Sequence, residues 1–228
     1  GKYTGRLLMP RRFLSKAERN RLSRFPTEVS DNDCIVYFTL TLADLHLIQQ
    51  RRGDENHLGF ALLLCSLRYL GHFPLNIHQS PKNVIKYVAD QLKLSPTSLK
   101  EYAERKETRW EHYPIILEHL GFRRSKASDK KELVAWLGAR ALEHDRPTLL
   151  LQQACERLYQ LRLVRPAITT MEDLVADARR WAEQKTVAVL VDSLPKRVQK
   201  TLDTLLINDE TRGISPVTWI RRYATGHS

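Results

Sequence analysis

The chain has 228 residues, enough for one large or two small domains that each bury a core. Hydrophobic residues at 42% and charged residues at 28% exclude a disordered chain. The 37 Lys+Arg against 26 Asp+Glu leave a formal charge of +11, which favours polyanionic partners, because Lys and Arg set against phosphates release condensed counterions. The excess is uneven. Residues 1–127 hold 21 basic and 13 acidic side chains, and residues 128–228 hold 16 and 13, so a charge-driven binding face is expected in the first half.

In chain order the pattern is helix after helix. Residues 1–9 read as a flexible arm or an expression remnant, with Met9-Pro10 as a natural start, and Arg11-Arg12 just beyond it read as a basic arm of their own. Ser15 with Glu18 is a capping box that opens a short basic helix ending before Pro26. Thr41 with Asp44 repeats the pattern, and the helix they open is expected to end at Arg51-Arg52, with Gly53 as its stop. The stretch Asn56 to Leu70 is apolar nearly all round, as a central helix is, and Gly71 and Pro74 end it. Ser66 and Arg68 interrupt its apolar run, which is too short to cross a bilayer. Pro81 begins a helix to Leu92, a short helix follows from Pro96, and another centres on Ile115-Ile116-Leu117.

The composition of Arg123 to Lys130 is linker-like and places a domain boundary there, giving helical domains at 10–127 and 128–228. Beyond it three apolar stripes mark three more helices: Leu133, Leu137 and Ala141; Leu151, Ala154, Cys155, Leu158 and Leu161; and Leu174, Ala178 and Trp181. The fold class expected is all-α, two small helical domains, at least one of them with a helix-turn-helix.

That motif is placed near 84–109. Ala89 is small where two helices must approach, and Leu92, Leu94, Leu99 and Tyr102 follow at the spacing of a buried seam. Ser95 caps the second helix, and Lys93 sits at the turn position often held by Gly, where a positive φ is needed. A second helix so placed turns its N-terminus toward a major groove. Ser95, Thr97, Ser98 and Lys100 are therefore the candidates for groove contacts. Arg105, Arg109, Arg51, Arg52, Arg123 and Arg124 are the candidates for phosphate contacts, which position a protein without reading sequence.

Signals for catalysis are weak. Asp31-Asn32-Asp33 and Asp209-Glu210 read as caps in turn-like stretches, the eight histidines form no ligand pair, and no glycine-rich phosphate loop occurs. Cys34, Cys65 and Cys155 lack metal-ligand spacing and read as buried thiols of a reducing cytoplasm. No catalytic residue, metal site or cofactor is expected in this chain.

One set of residues resembles a known family. Arg12-Phe13-Leu14-Ser15 with Glu18-Arg19, Phe38-Thr39-Leu40-Thr41 with Asp44-Leu45, Arg51-Arg52-Gly53, Asn56, Leu58-Gly59-Phe60-Ala61 and Leu64 to Arg68 are similar to the opening of the Tn-three-type transposases, enzymes of replicative class II transposons. Tyr87 to Leu92, Tyr102, Arg105, Thr108-Arg109, His112, Leu120 to Arg123, Leu174-Val175, Ala178-Arg179 and Leu202 to Leu206 extend the likeness. The resemblance implies paired helical DNA-binding domains that recognise the transposon's terminal inverted repeats. It also implies that metal-dependent strand transfer belongs to a ribonuclease-H-like domain farther along the parent protein. The partner expected is double-stranded DNA of the terminal inverted repeat, in the bacterial cytoplasm at the nucleoid, with no membrane and with self-association through the rest of the parent. Two other readings are a regulator that competes for transposon ends and a protein-interaction or dimerisation module. A standalone nuclease, revived only by magnesium-dependent cleavage, is the last.

Overall fold

The computed structural model describes residues 12–102 and 106–200, with the side chains of 106–109 left aside. In order they form α1 (Lys16–Leu22), α2 (Asp31–Phe38), α3 (Leu42–Gln49), α4 (Asp54–Leu70), a 3-10 turn at Ile77–Gln79, α5 (Lys82–Leu92), a 3-10 segment at Pro96–Glu101 and α6 (Lys106–Leu120). There follow β1 (Arg123–Arg124), α7 (Ala127–Ala141), α8 (Pro147–Gln160), β2 (Leu163–Val164) and α9 (Ile168–Ser193). The fold is essentially all-α.

Two compact units are present, one of Leu14–Ser128 with Gln153–Met171, the other holding residues 12–13, Asp129–Gln152 and the described residues from Glu172 onward. In the larger unit α4 is the axis. Every residue from Leu58 to Leu67 is buried, because α2, α3, α5, α6 and the 3-10 segment all pack on it. Phe25, Phe38, Ile48, Val84, Val88, Ala89, Leu99 and Ile116 complete the core around it.

The helix starts follow the sequence. Ser15 and Glu18 close a full capping box at α1, and Thr41 and Asp44 close one at α3. Two boundaries differ from expectation. Gly53 is the N-cap of α4 at φ +89°, not the stop of α3, which ends at Gln49 with Gln50 as its C-cap. The acidic run Asp31-Asn32-Asp33 forms the first turn of α2, capped by Ser30, where carboxylates meet the positive end of the helix.

Asp44 does more than cap. Its carboxylate is buried and accepts from the Thr41 N–H at 2.9 Å and from Arg68 Nη2 at 3.0 and 2.8 Å, and it lies 2.7 Å from His119 Nε2. Arg68 Nη1 also donates to the carbonyls of Tyr37 and Thr39. One buried ion cluster thus ties α2, α3, α4 and α6 together. Nearby, Gln91 of α5 clamps the chain between α2 and α3, donating to the Phe38 carbonyl at 3.0 Å and accepting from the Leu40 N–H at 2.8 Å.

Gly59 shows how tightly α4 is covered. A Cβ there would overlap the ring of Tyr102, which is buried and shares a 2.8 Å hydrogen bond between its hydroxyl and His112 Nδ1. Gly59→Ala gains about 1 kcal/mol in helix propensity, yet overpacking of this kind costs about 1–3 kcal/mol. A net loss of stability is expected in urea unfolding, and Tyr102→Leu in the same chain should recover part of it.

In the smaller unit Leu133 and Leu137 of α7, Leu150 of α8, and Val175, Ala178 and Ala182 of α9 are buried. A Cβ on Gly138 would strike the Trp181 ring, so a glycine is needed where α7 meets α9. Arg12 pairs with Asp173, the Phe13 N–H donates to the buried Glu172 carboxylate at 3.0 Å, and Arg179 pairs with Asp145.

Candidate nucleic-acid interface

The region of the expected helix-turn-helix opens with α5. α5 buries Val84, Val88 and Ala89, and Lys93 stops it in the left-handed conformation at φ +58°, ψ +37°. The Leu94 N–H returns to the Ala89 carbonyl at 3.0 Å, which closes the helix end as a glycine would.

The second segment departs from the motif. Pro96–Glu101 is a 3-10 helix of six residues, and Tyr102 follows in extended conformation. The reason is local packing. Leu99 and Tyr102 are both buried against α4, and the Tyr102 N–H bonds the Leu99 carbonyl at 3.1 Å, a three-residue closure. The candidates for groove contact occupy this segment: Ser95, Thr97 and Lys100 are exposed and Ser98 is half-buried. The Ser95 hydroxyl accepts from the Thr97 N–H at 3.3 Å and lies 2.7 Å from the Thr97 hydroxyl, so both are engaged in capping. Lys100 projects from the opposite end of the segment, and the exposed Lys93, read from the sequence only as the turn residue, adds a second cation.

The arginine candidates separate into three groups. Arg105, and the side chain of Arg109, lie outside the described residues. Arg51 is half-buried with its guanidinium 5.4 Å from the Phe60 ring centroid, and His57 Nε2 lies 2.8 Å from its carbonyl. Arg52, next in the chain, is exposed.

Arg123 and Arg124 are exposed on β1, which pairs in parallel with β2 so that Arg123 stands opposite Leu163 and Arg124 opposite Val164. This is a difference from the linker expected at 123–130. Pairing with residues some forty positions on is non-local, and nothing in the Arg-Arg dipeptide announces it. The Arg123 N–H donates to the Arg162 carbonyl at 3.0 Å, and Arg162, exposed at φ +54°, sets its guanidinium 5.2 Å from the Phe122 ring centroid. The pairing thus brings a third exposed arginine, Arg162, to the backbone beside Arg123 and Arg124, and sequence reading named only the latter two.

Many other cations are consumed internally. Arg68 serves Asp44, Arg165 Nη2 donates to the Leu22 carbonyl at 2.7 Å, and Arg179 and Arg12 pair with carboxylates. Burial lowers the Arg165 pKa, and burial raises the Cys65 thiol to about 12, leaving that sulfur an inert core group. Among the described residues no three His, Cys, Asp or Glu side chains gather as metal ligands, and no helix is long and apolar enough to cross a membrane.

The model of a domain family described as a domain of unknown function (DUF4158) matches residues 13–178. The chain belongs to that family. It is similar to the transposase for transposon Tn501 of Pseudomonas aeruginosa, 38% identical over 215 residues, 94% of this chain and 22% of the relative. It is also similar to the transposases for Tn3926, at 34% identity, and gamma-delta, at 32%, both of Escherichia coli and both with 94% of this chain and 22% of the relative covered. The domain thus spans about a fifth of the length of these Tn-three-type transposases and corresponds to their N-terminal part.

Proposed function

We propose that this chain is the part of a transposase that binds double-stranded DNA at the transposon's terminal inverted repeats. Strand cleavage and transfer would then belong to the rest of such an enzyme, acting in the bacterial cytoplasm at the nucleoid. The observation that carries the reading is family membership, with transposases as relatives across 94% of the chain. The formal charge of +11 supports it, since a basic surface supplies the sequence-independent part of DNA affinity.

Within this reading the exposed Ser95, Thr97 and Lys100, with the half-buried Ser98 among them, face the bases. Arg52, Arg123 and Arg124 hold phosphates, joined by Arg105 and Arg109, and Arg51 braces the turn from its half-buried position. Lys100→Ala is expected to cost about 1–3 kcal/mol on the cognate repeat and to relax preference at one position. Arg124→Ala should weaken cognate and scrambled duplexes alike and reduce the salt slope by about one unit. Mobility-shift titrations at several salt concentrations check both. If Lys100→Ala weakened every duplex equally, the 3-10 segment would be a backbone contact and would not read sequence.

A further inference from the structure

The larger unit contains a cleft of about 490 Å³ that the duplex-binding residues leave largely unused. Phe73, Leu75, Trp110, Tyr113, Arg124 and Arg165 give it its chemistry, with Pro74, Leu117, Ser125, Val164 and Pro166 as the remaining wall. Three features point to one class of ligand. The first is aromatic geometry. Phe73 and Tyr113 stack with centroids 4.1 Å apart and 17° between planes, and Trp110 meets Tyr113 edge-on at 5.7 Å and 71°. That arrangement leaves the indole on the outside of the stack, and Trp110 is 60% exposed. An exposed indole face beside cations offers a base a surface on which to stack.

The second feature is charge. Among the described residues two guanidiniums line the cleft and no carboxylate does. Arg165 is fixed, its Nη2 on the Leu22 carbonyl and its backbone N–H on the Gly71 carbonyl at 2.9 Å, whereas Arg124 is exposed on β1. The third is size, within the range of small-ligand pockets and ample for one nucleobase with its sugar. A flat π-surface beside an exposed and a fixed cation matches the way single strands are held, with bases on aromatic rings and the backbone on arginines. A B-form duplex keeps its base faces stacked inside and cannot use such a platform.

We infer that this cleft binds an unpaired DNA nucleotide, its base on Trp110 and its phosphate on Arg124. The inference rests on the DNA-binding reading above and adds a second, single-stranded mode to it. At a transposon end such a site would capture a base released where the duplex opens or a strand end frays.

The test is fluorescence anisotropy of the full chain on a labelled oligothymidine and, separately, on a terminal-repeat duplex. Trp110→Ala is expected to weaken oligothymidine binding by about 5- to 150-fold, the range of a lost base–aromatic stack, and to leave duplex binding at the wild-type level. Trp110→Phe should retain most of the single-strand affinity, and circular dichroism should show both variants folded. No oligothymidine binding by the wild-type chain, or equal binding by Trp110→Ala, would overturn the inference. So would self-association that Trp110→Ala abolishes with single-strand affinity intact, since a second copy would then occupy the cleft. Loss of duplex specificity with Trp110-dependent oligothymidine binding preserved would sink the terminal-repeat reading alone.

Discussion

Asp44→Ala is expected to be among the most destabilising single changes in the larger unit, by about 3–5 kcal/mol, because it leaves a half-buried arginine without its counter-charge and a histidine without its hydrogen-bond partner. Asp44 is 1% exposed and holds Arg68 by two hydrogen bonds while His119 sits 2.7 Å away. Burial alone would raise its carboxyl, but the hydrogen bonds from Arg68, the Thr41 N–H and His119 outweigh that and hold it below its ordinary value. The cluster's Coulombic contribution is thus complete at neutral pH and fades only as the pH falls below the ordinary carboxylate range. Removing both ions should be milder than removing one, so Asp44→Ala with Arg68→Met is expected to cost less than Asp44→Ala alone. Urea unfolding of the two variants measures this. Equal losses in the single and double variants would mean that capping of α3, not charge pairing, is what Asp44 contributes.

The second large effect is acid instability at two buried histidines. His72 and His112 are 8% and 4% exposed, and both imidazoles are pushed down to about 4. Burial is the main cause in each; the guanidinium of Arg165 adds to it at His72 and that of Arg51 at His112. The unfolded chain binds these protons near 6.5 and the folded chain only near 4. Folding stability therefore rises with pH across that window, and it is lost as the pH falls from 6.5 toward 4. Each histidine contributes about 3 kcal/mol to the change at 1.36 kcal/mol per unit. His112→Gln, which can still hydrogen-bond Tyr102, should reduce the loss between pH 7 and pH 4 by about half. An unchanged pH dependence in that variant would place the acid sensitivity elsewhere.

These two sites also explain what the sequence made readable. Asp44, Arg68, Gly59, Tyr102, His112 and Gln91 all belong to the residues on which the family resemblance rests, and all prove to hold the fold. A scaffold of capping boxes, a greasy central helix and a few buried polar ties has local signatures, so most helices and the central core could be read directly, whereas α2 could not, because its acidic first turn reads as a polar turn. The site was less legible because exposure is decided by neighbours distant in sequence. Arg51 and Arg52 are indistinguishable as a dipeptide, yet one covers Phe60 and the other faces water. Arg162 joins Arg123 and Arg124 only through β-pairing across some forty residues. Pro96–Glu101 has the spacing of an α-helix, but seating Tyr102 on Gly59 winds it into a 3-10 turn. Trp110 acquires its meaning only beside Phe73 and Tyr113.

Recognition of transposon ends is tested by fluorescence anisotropy of the full chain on two duplexes. One carries the terminal inverted repeat of the transposon that encodes this chain, and the other a scrambled sequence of equal composition, with salt varied on both. Binding to the repeat tighter by roughly a thousandfold or more at physiological salt is the predicted result, the regime of specific recognition. Equal affinity for both duplexes, falling steeply with salt, would contradict the claim and leave only a basic surface.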